Sequence, residues 1–409
     1  MSNLTTSRRA EPMRLIALAI LSAFGFVTML TEIVPAGLLS GMAAGLQASP
    51  STTGQLLTVY AAASMLAAVP VTALTRHLPR KLLLILTVAG IVVANTVTAL
   101  SDVYALTVAA RIVAGVCAGV QWALVAGYAM RITADATKKG KALSIAMAGI
   151  PLALAVGLPL GTYLGTLVGW RGVYAALAVV GAVAACAGLR RLPSLDAEAT
   201  AQSRQRAAEG GRSPVITALL RPGIVVIVLC AFAFQAGHMN LYTYMEPFLQ
   251  YSGLDGNITA VFLVMGVSAT VGLWITGMVI DRHIRTLGYS VAVCFLIAAA
   301  ALGIWSTNSV IVILAICCWG LALGAAPTLF QAAAARAAGD RIDMVQAILV
   351  TLFNAGMATG SAVGGVVLAV THASALPWVS MAFFLAITCA LVVHHRVALP
   401  AMVDGSRST

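Results

Sequence analysis

Continuous apolar runs of about twenty residues recur along this chain, and no other feature narrows its fold as much. They fall at approximately 15–39, 54–75, 82–101, 103–130, 143–168 and 172–189, then at 222–249, 258–280, 287–305, 308–333, 344–370 and 375–394. A helix of that length crosses the hydrocarbon core of a bilayer. Hydrophobic residues make up 60% of the 409 positions and charged residues only 9%, against roughly a quarter charged in a soluble domain. The runs are unbroken rather than alternating, which excludes a transmembrane β-barrel. The expected fold class is an all-α polytopic membrane protein with twelve transmembrane helices.

A net charge of +11 suggests a nucleic-acid partner until its placement is read. Twenty-two of the 24 basic residues lie in the N-terminus, the C-terminus and the even-numbered connections, those after spans 2, 4, 6, 8 and 10. The odd-numbered connections hold only Arg171, and Arg111 lies inside a span. Basic residues concentrate on the cytoplasmic side of a membrane protein. The pattern therefore predicts an even number of spans, both termini cytoplasmic, a cell (inner or plasma) membrane location and no nucleic-acid partner. Arg8-Arg9 precedes an apolar run too long for a cleaved signal, so span 1 is expected to remain. The seven cysteines all lie inside spans and imply no disulfide framework.

The stretch from Arg190 to Arg221 is the longest polar segment. It divides the chain into a bundle at 1–189, a linker at 190–221 and a second bundle at 222–409. The linker is too short for a catalytic domain, and no G-x-x-x-x-G-K-[ST] phosphate loop occurs, so ATP does not drive this chain. The bundles resemble each other. Gly115 and Gly119 recur as Gly320 and Gly324 at an offset of 205, and Gly157 and Gly161 recur as Gly360 and Gly364 at 203. TALTRHLPRK (72–81) matches GMVIDRHIRT (277–286), again at 205. Two six-span halves related by duplication are the architecture of transporters that bind substrate near the bilayer midplane.

Two charges stand inside the first bundle: Glu32 in span 1 and Arg111 in span 4. Either facing lipid would cost ~3 kcal/mol or more. Both sit ~10–12 Å below the outer surface, counted at 1.5 Å per residue, which allows a direct or water-bridged pair. One reading is a structural ion pair. The other is a carboxylate that takes up and releases a proton, since a nearby cation and desolvation push a carboxylate in opposite directions. The second is favoured, because a buried ion pair is a poor source of stability. The second bundle has Ile316 where Arg111 would recur. Its span 7 instead carries Gln235, His238, Asn240, Tyr242 and Tyr244. Tyr60, Gln121, Trp122, Trp319 and Asn354 are further polar or aromatic residues in spans. Amides at that depth need partners, so these residues either line a substrate path or bridge helices.

The segments TEIVPAGLL, TGQLLTVYA, ARIVAGVCAGVQW, GLPLGTYLGTLVGWR, YTYMEPFL, GMVIDR and FNAGMATGSAVGG resemble the major facilitator superfamily across nearly the whole chain. Within it they are similar to the twelve-span drug:proton antiporter branch, with its sugar, arabinose, purine-nucleoside and chloramphenicol exporters. The resemblance implies that Arg111 and Gly115 belong to a span 4 motif concerned with proton transfer. It also implies that Gly157, Pro159 and Gly161 form the glycine-proline antiporter motif of span 5. A loop motif that gates such proteins aligns with Thr72, Leu74, Arg76, Pro79, Arg80 and Lys81, and its second copy with Gly277, Asp281 and Arg282. The family's acidic position is Arg76 here. Asp343, with Gln346 three residues on, reads as a capping box opening span 11. Arg76 is expected either to pair with Asp340 or Asp343 or only to serve the cytoplasmic charge bias.

The combined expectation is a monomeric secondary transporter that takes protons and a small organic solute (drug, sugar or nucleoside-like) as its partners. It exports that solute by alternating access and needs no cofactor and no metal. A proton-coupled importer of the same fold is the alternative. An intramembrane enzyme would need a nucleophile-base set or a metal cluster, and a channel a continuous polar stripe; the spans carry none of these.

Overall fold

The computed structural model describes residues 2–75, 78–132, 142, 145–194, 222–254, 256–338 and 342–393. Residues 195–221 of the expected linker, with Arg76, Asp340 and the C-terminal segment from His394, lie outside the described residues. Two compact units emerge, Met1–Gly211 and Arg212–Thr409.

In the first unit α1 (Ser2–Gly37) is followed by the short α2 (Leu39–Gly45), then α3 (Pro50–Leu74), α4 (Arg80–Leu100) and α5 (Tyr104–Arg131). After one helical turn, α6 (Gly149–Leu152), the chain widens into a π-helical turn at Ala153–Gly157 and continues as α7 (Leu158–Arg191). The π turn has a local cause. Pro159 has no N–H to give to the carbonyl of Ala155, so the regular ladder cannot close there. Helix α7 breaks at Gly169, which adopts a positive φ of 73°. Spans 5 and 6 are the two sides of that break.

The second unit runs α8 (Pro222–Tyr242), the short α9 (Met245–Tyr251), α10 (Ile258–Ile304), α11 (Ser309–Ala338), α12 (Ile342–Val370) and, after a 3₁₀ turn, α13 (Leu376–Val393). Helix α10 breaks at His283 (φ −130°, ψ 40°) into spans 8 and 9. Ten stretches of the described residues are long and apolar enough to cross a membrane. One of them, Ile145–Arg191, holds both spans 5 and 6, and α3 supplies a further span of 25 residues, which brings the number to the expected twelve. Large apolar side chains stand outward, among them Leu66, Leu74, Val183, Trp274, Val310 and Val393. A bilayer solvates such a surface and water does not.

Close helix packing shows the duplication in three dimensions. A Cβ on Gly115 would strike the Tyr60 carbonyl, and one on Gly119 the Ser64 carbonyl. In the second unit a Cβ on Gly320 would strike the Met265 carbonyl and one on Gly324 the Ala269 carbonyl. Glycines and partners alike are separated by 205 residues. Backbone approach of this kind holds helices together where water gives no hydrophobic drive. The turns repeat too. The breaks at Leu38 (φ −126°) and Tyr244 (φ −111°) are each followed by a seven-residue helix, and both helices are followed by a positive φ, at Gln47 (52°) and Gly253 (72°). These features share an offset of 206.

Arg171, the exception to the charge pattern, gathers one end of the first unit. Its guanidinium lies 2.5 Å from the Asp102 carboxylate, donates to the carbonyls of Gly45 (3.3 Å) and Ser101 (3.4 Å), and stacks on Trp170 at 4.2 Å.

Candidate functional site

Among the described residues each unit buries a cluster of polar or aromatic side chains, and the chemistry of the two differs. The first is polar and is built on α1. Pro35 lies in the last turns of that helix and has no N–H, so the carbonyl of Thr31, four residues back, loses its helical donor. Arg111 on α5 takes that acceptor: its Nη1 donates to the Thr31 carbonyl at 2.7 Å. The guanidinium is completely buried and lies over the rings of Tyr60 (5.7 Å) and Tyr174 (5.1 Å). Both rings offer a cation their negative faces. Asn95 on α4 donates to Thr31 Oγ1 at 2.8 Å, and Gln121 on α5 donates to Thr28 Oγ1 at 2.7 Å. Thr28 Oγ1 in turn donates to the Phe24 carbonyl, and the Tyr60 hydroxyl to the Thr28 carbonyl at 3.4 Å.

The direct pair allowed by equal depth does not form. Among the described residues Glu32 makes no ion pair, because the arginine is engaged one residue earlier, on the Thr31 carbonyl. Glu32 is partly exposed, and the charge of Arg111 still acts on it. Arg111 Nε and Nη2, Asn95 Oδ1 and Gln121 Oε1 are buried with no hydrogen-bond partner among the described residues. Buried polar atoms are nearly always satisfied. These four are the exceptions in the first cluster.

The second cluster is aromatic. Trp319 donates its indole N–H to His238 Nδ1 at 3.1 Å. Phe234 lies parallel to the imidazole, with centroids 6.2 Å apart and planes at 6°, and Tyr242 is 4.9 Å away. Phe295 and Phe384 close around Trp319 at 5.4 and 5.2 Å. Asn240 is fully buried and bridges to α13, donating to the Leu376 carbonyl (2.8 Å) and to Ser380 Oγ (3.0 Å). Ser380 Oγ in turn donates to the Gly237 carbonyl at 2.7 Å. Asn354 donates back to Val350 within α12 and, like Gln235 and Trp122, is partly exposed.

Of the residues expected to gate, Arg80 opens α4 and is partly buried, and Arg282 is exposed beside the break of α10. The side chains of Asp281 and Asp343 lie outside the described residues. Asp343 lies in the first turn of α12 as described from Ile342, and Arg341 before it lies outside the described residues. An acid still suits the helix dipole there. The span 5 glycines differ from their repeats. Gly157 and Gly161 meet side chains of α1 (Phe26, Leu30 and Val34), whereas Gly360 and Gly364 meet the carbonyls of Ala236 and Asn240.

In the first cluster Asn95, Thr28, Thr31 and Tyr174 were not anticipated, and in the second Ser380, Phe234, Phe295 and Phe384. Asn95 carried a readable signal, an amide in the middle of an apolar run. The threonines carried none, since the hydroxyl of a helical threonine usually bonds its own helix.

Comparison with known proteins places this architecture. Residues 18–348 match the family model of the Major Facilitator Superfamily. The chain is 27% identical over 383 residues to the purine ribonucleoside efflux pump NepI of Salmonella paratyphi B, covering 93% of this chain and 94% of that protein. The same pump of Salmonella typhimurium matches over the same extent. Among solved structures, the nucleoside transporter NupG superimposes with a TM-score of 0.74 at 14% identity, covering 93% of this chain and 99% of that one. A bacterial homologue of the human lysosomal transporter Spinster, inward-facing and unoccupied, superimposes with a TM-score of 0.66 at 14% identity, covering 95% and 96%. With twelve membrane-spanning helices, a duplicated packing scheme and a family match over most of its length, the chain belongs to the major facilitator superfamily and is a multi-pass membrane transporter, not an enzyme.

Proposed function

We propose that this transporter exports a neutral nucleoside-like solute in exchange for protons, and that Glu32 carries the proton. The observation that carries the coupling is the separation of the two charges. Among the described residues Arg111 is docked on the Thr31 carbonyl, Glu32 is partly exposed and has no ionic partner, and two donor atoms of the arginine have no acceptor. A carboxylate in that position can bind a proton while the arginine stays on the backbone. It can lose the proton when the guanidinium turns to it. The two states differ in how Arg111 holds α1, which is the differential interaction that a coupled transition requires.

The nucleoside assignment is supported by the similarity to the purine ribonucleoside efflux pumps over nearly the full length of both chains. It also fits clusters with one acid, one base and many aromatic rings, which suit a neutral solute better than an ion. The two six-helix bundles, 1–189 and 222–409, act as the moving bodies in this reading. Arg80, Arg282 and the glycines of spans 4 and 5 act as gating elements. The substrate contacts fall on the partly exposed residues Trp122, Gln235 and Asn354 and on the edge of His238, while Tyr60, Gln121, Asn240, Tyr242 and Trp319 position them. In this reading the protein acts as a monomer in the cell's inner membrane with both termini cytoplasmic.

Inverted vesicles loaded with acid and given labelled inosine test the reading. Uptake that collapses with the proton gradient, and that Glu32→Gln abolishes, is the expected result. Uptake unchanged without a gradient would refute antiport. Accumulation in right-side-out vesicles at the expense of inverted ones would establish import instead.

A further inference from the structure

We infer that Trp319 fixes His238 as the tautomer with its proton on Nε2, making this histidine a single-donor recognition element for an acceptor atom of the transported solute. The inference rests on the proposed function for the identity of the solute, but not for the tautomer. Its basis is chemical. An indole N–H can only donate, so the nitrogen it contacts must carry a lone pair. The contact is to Nδ1, at 3.1 Å, and the neutral ring must then hold its proton on Nε2. Nε2–H makes no hydrogen bond among the described residues, although His238 is buried except for 4% of its surface. The ring has little freedom to escape this arrangement. Phe234 lies parallel to one face, Tyr242 tilts against it at 4.9 Å, and Trp319 is itself buried between Phe295 and Phe384.

The internal repeat adds a second, independent observation. Helix α1 and helix α8 end in matching breaks, at Leu38 and Tyr244, with an offset of 206. At that offset His238 corresponds to Glu32. One unit therefore presents a carboxyl at this level of its first helix and the other an N–H donor with a fixed direction. A donor that cannot become an acceptor without breaking the Trp319 bond selects for carbonyl or bare ring-nitrogen acceptors. A neutral oxopurine such as hypoxanthine carries both, and every neutral purine base carries the bare ring nitrogen. It discriminates against solutes that offer only donors, because an unpaired buried group is costly to leave.

The experiment combines two substitutions with a spectroscopic readout on the full-length protein in lipid nanodiscs, with inosine as the probe. His238→Asn keeps an oxygen near the Nδ1 position for Trp319 but is too short to present the outward donor. His238→Gln reaches the Nε2 position with an amide N–H. Inosine affinity is expected to fall about tenfold in His238→Asn and to stay within about threefold of the parent in His238→Gln. Nitrogen-15 spectra of histidine-labelled protein should show the His238 signal, identified by its loss in His238→Gln, as the pure Nε2–H tautomer. In Trp319→Phe the Nδ1 resonance should move away from its hydrogen-bonded position. A proton on Nδ1 would overturn the lock, and equal loss of affinity in both His238 variants would overturn the donor role. If the unaltered protein binds no inosine or other purine nucleoside, the nucleoside reading fails, and the nitrogen spectrum still decides the tautomer.

Discussion

The two units share a packing scheme and differ in the chemistry they bury. The contacts of Gly115 and Gly119 recur at Gly320 and Gly324, against partners displaced by the same 205 residues. At the same spacing Arg111 gives way to Ile316, and both are fully buried. The first unit thus encloses a guanidinium, two amides and two threonine hydroxyls, while the second encloses a histidine, a tryptophan and a set of phenylalanines. Close helix approach constrains backbone and small residues. The interior between those contacts is free to diverge, because its side chains answer to one another and not to the seam. A transporter gains from that divergence, since one unit can respond to protons while the other shapes a binding surface.

Substitutions can break or sharpen this contrast. The largest effect is expected from Arg111→Met, which gives the first unit the apolar character of the second. Proton-driven inosine transport should drop to background, yet thermal unfolding in detergent should be unchanged or raised, since an apolar replacement for a buried charge is often neutral or stabilising. Loss of folding would mean that the arginine is structural. Glu32→Gln should abolish gradient-driven accumulation and spare nucleoside exchange between the two sides of a vesicle. Loss of both would assign Glu32 to substrate binding. Gly119→Ala and Gly324→Ala should each destabilise by about 1–3 kcal/mol, and similarly to one another, because each pushes a methyl onto a carbonyl of the neighbouring helix. Clearly unequal melting shifts would show that the seams are not equivalent. The smallest effect belongs to the turns. Gln47→Gly should raise stability by about 0.5–1 kcal/mol, because a side chain at positive φ is strained. Gly253→Gln, at the matching position, should lower it by a similar amount.

The spans and the glycine seams were legible because each obeys a rule with one variable: run length for the first, spacing for the second. The family-level fold followed from those two. The partner choice of Arg111 was not legible. Helical rise places Glu32 and Arg111 at one depth, but depth says nothing of the direction in which a long side chain lies around its helix. Pro35 held the missing information, since a proline inside a helix frees the carbonyl four residues back, which is Thr31. The use of Asn240 to bridge α8 and α13 was hidden for a related reason, because its partner Ser380 lies 140 residues away in a span with no other mark on it. The expected roles of Arg76 and Asp343 concern side chains outside those described.

The contacts of Arg171 bear on how the chain is made. In the proposed topology Arg171 stands on the face opposite the termini, so during synthesis it crosses the bilayer that the other basic residues of the connections stay behind to avoid. Asp102 offsets its charge, and Trp170 shields its plane. Asp102, in the connection after span 3, precedes Arg171 in the chain, so the counter-charge is synthesised before the hairpin of spans 5 and 6. Vectorial synthesis and the final contact agree in order: the acid arrives first and the arginine follows it. A chain with Asn at position 102 would insert that hairpin against an uncompensated positive charge, and faulty orientation of spans 5 and 6 is the defect to look for in it.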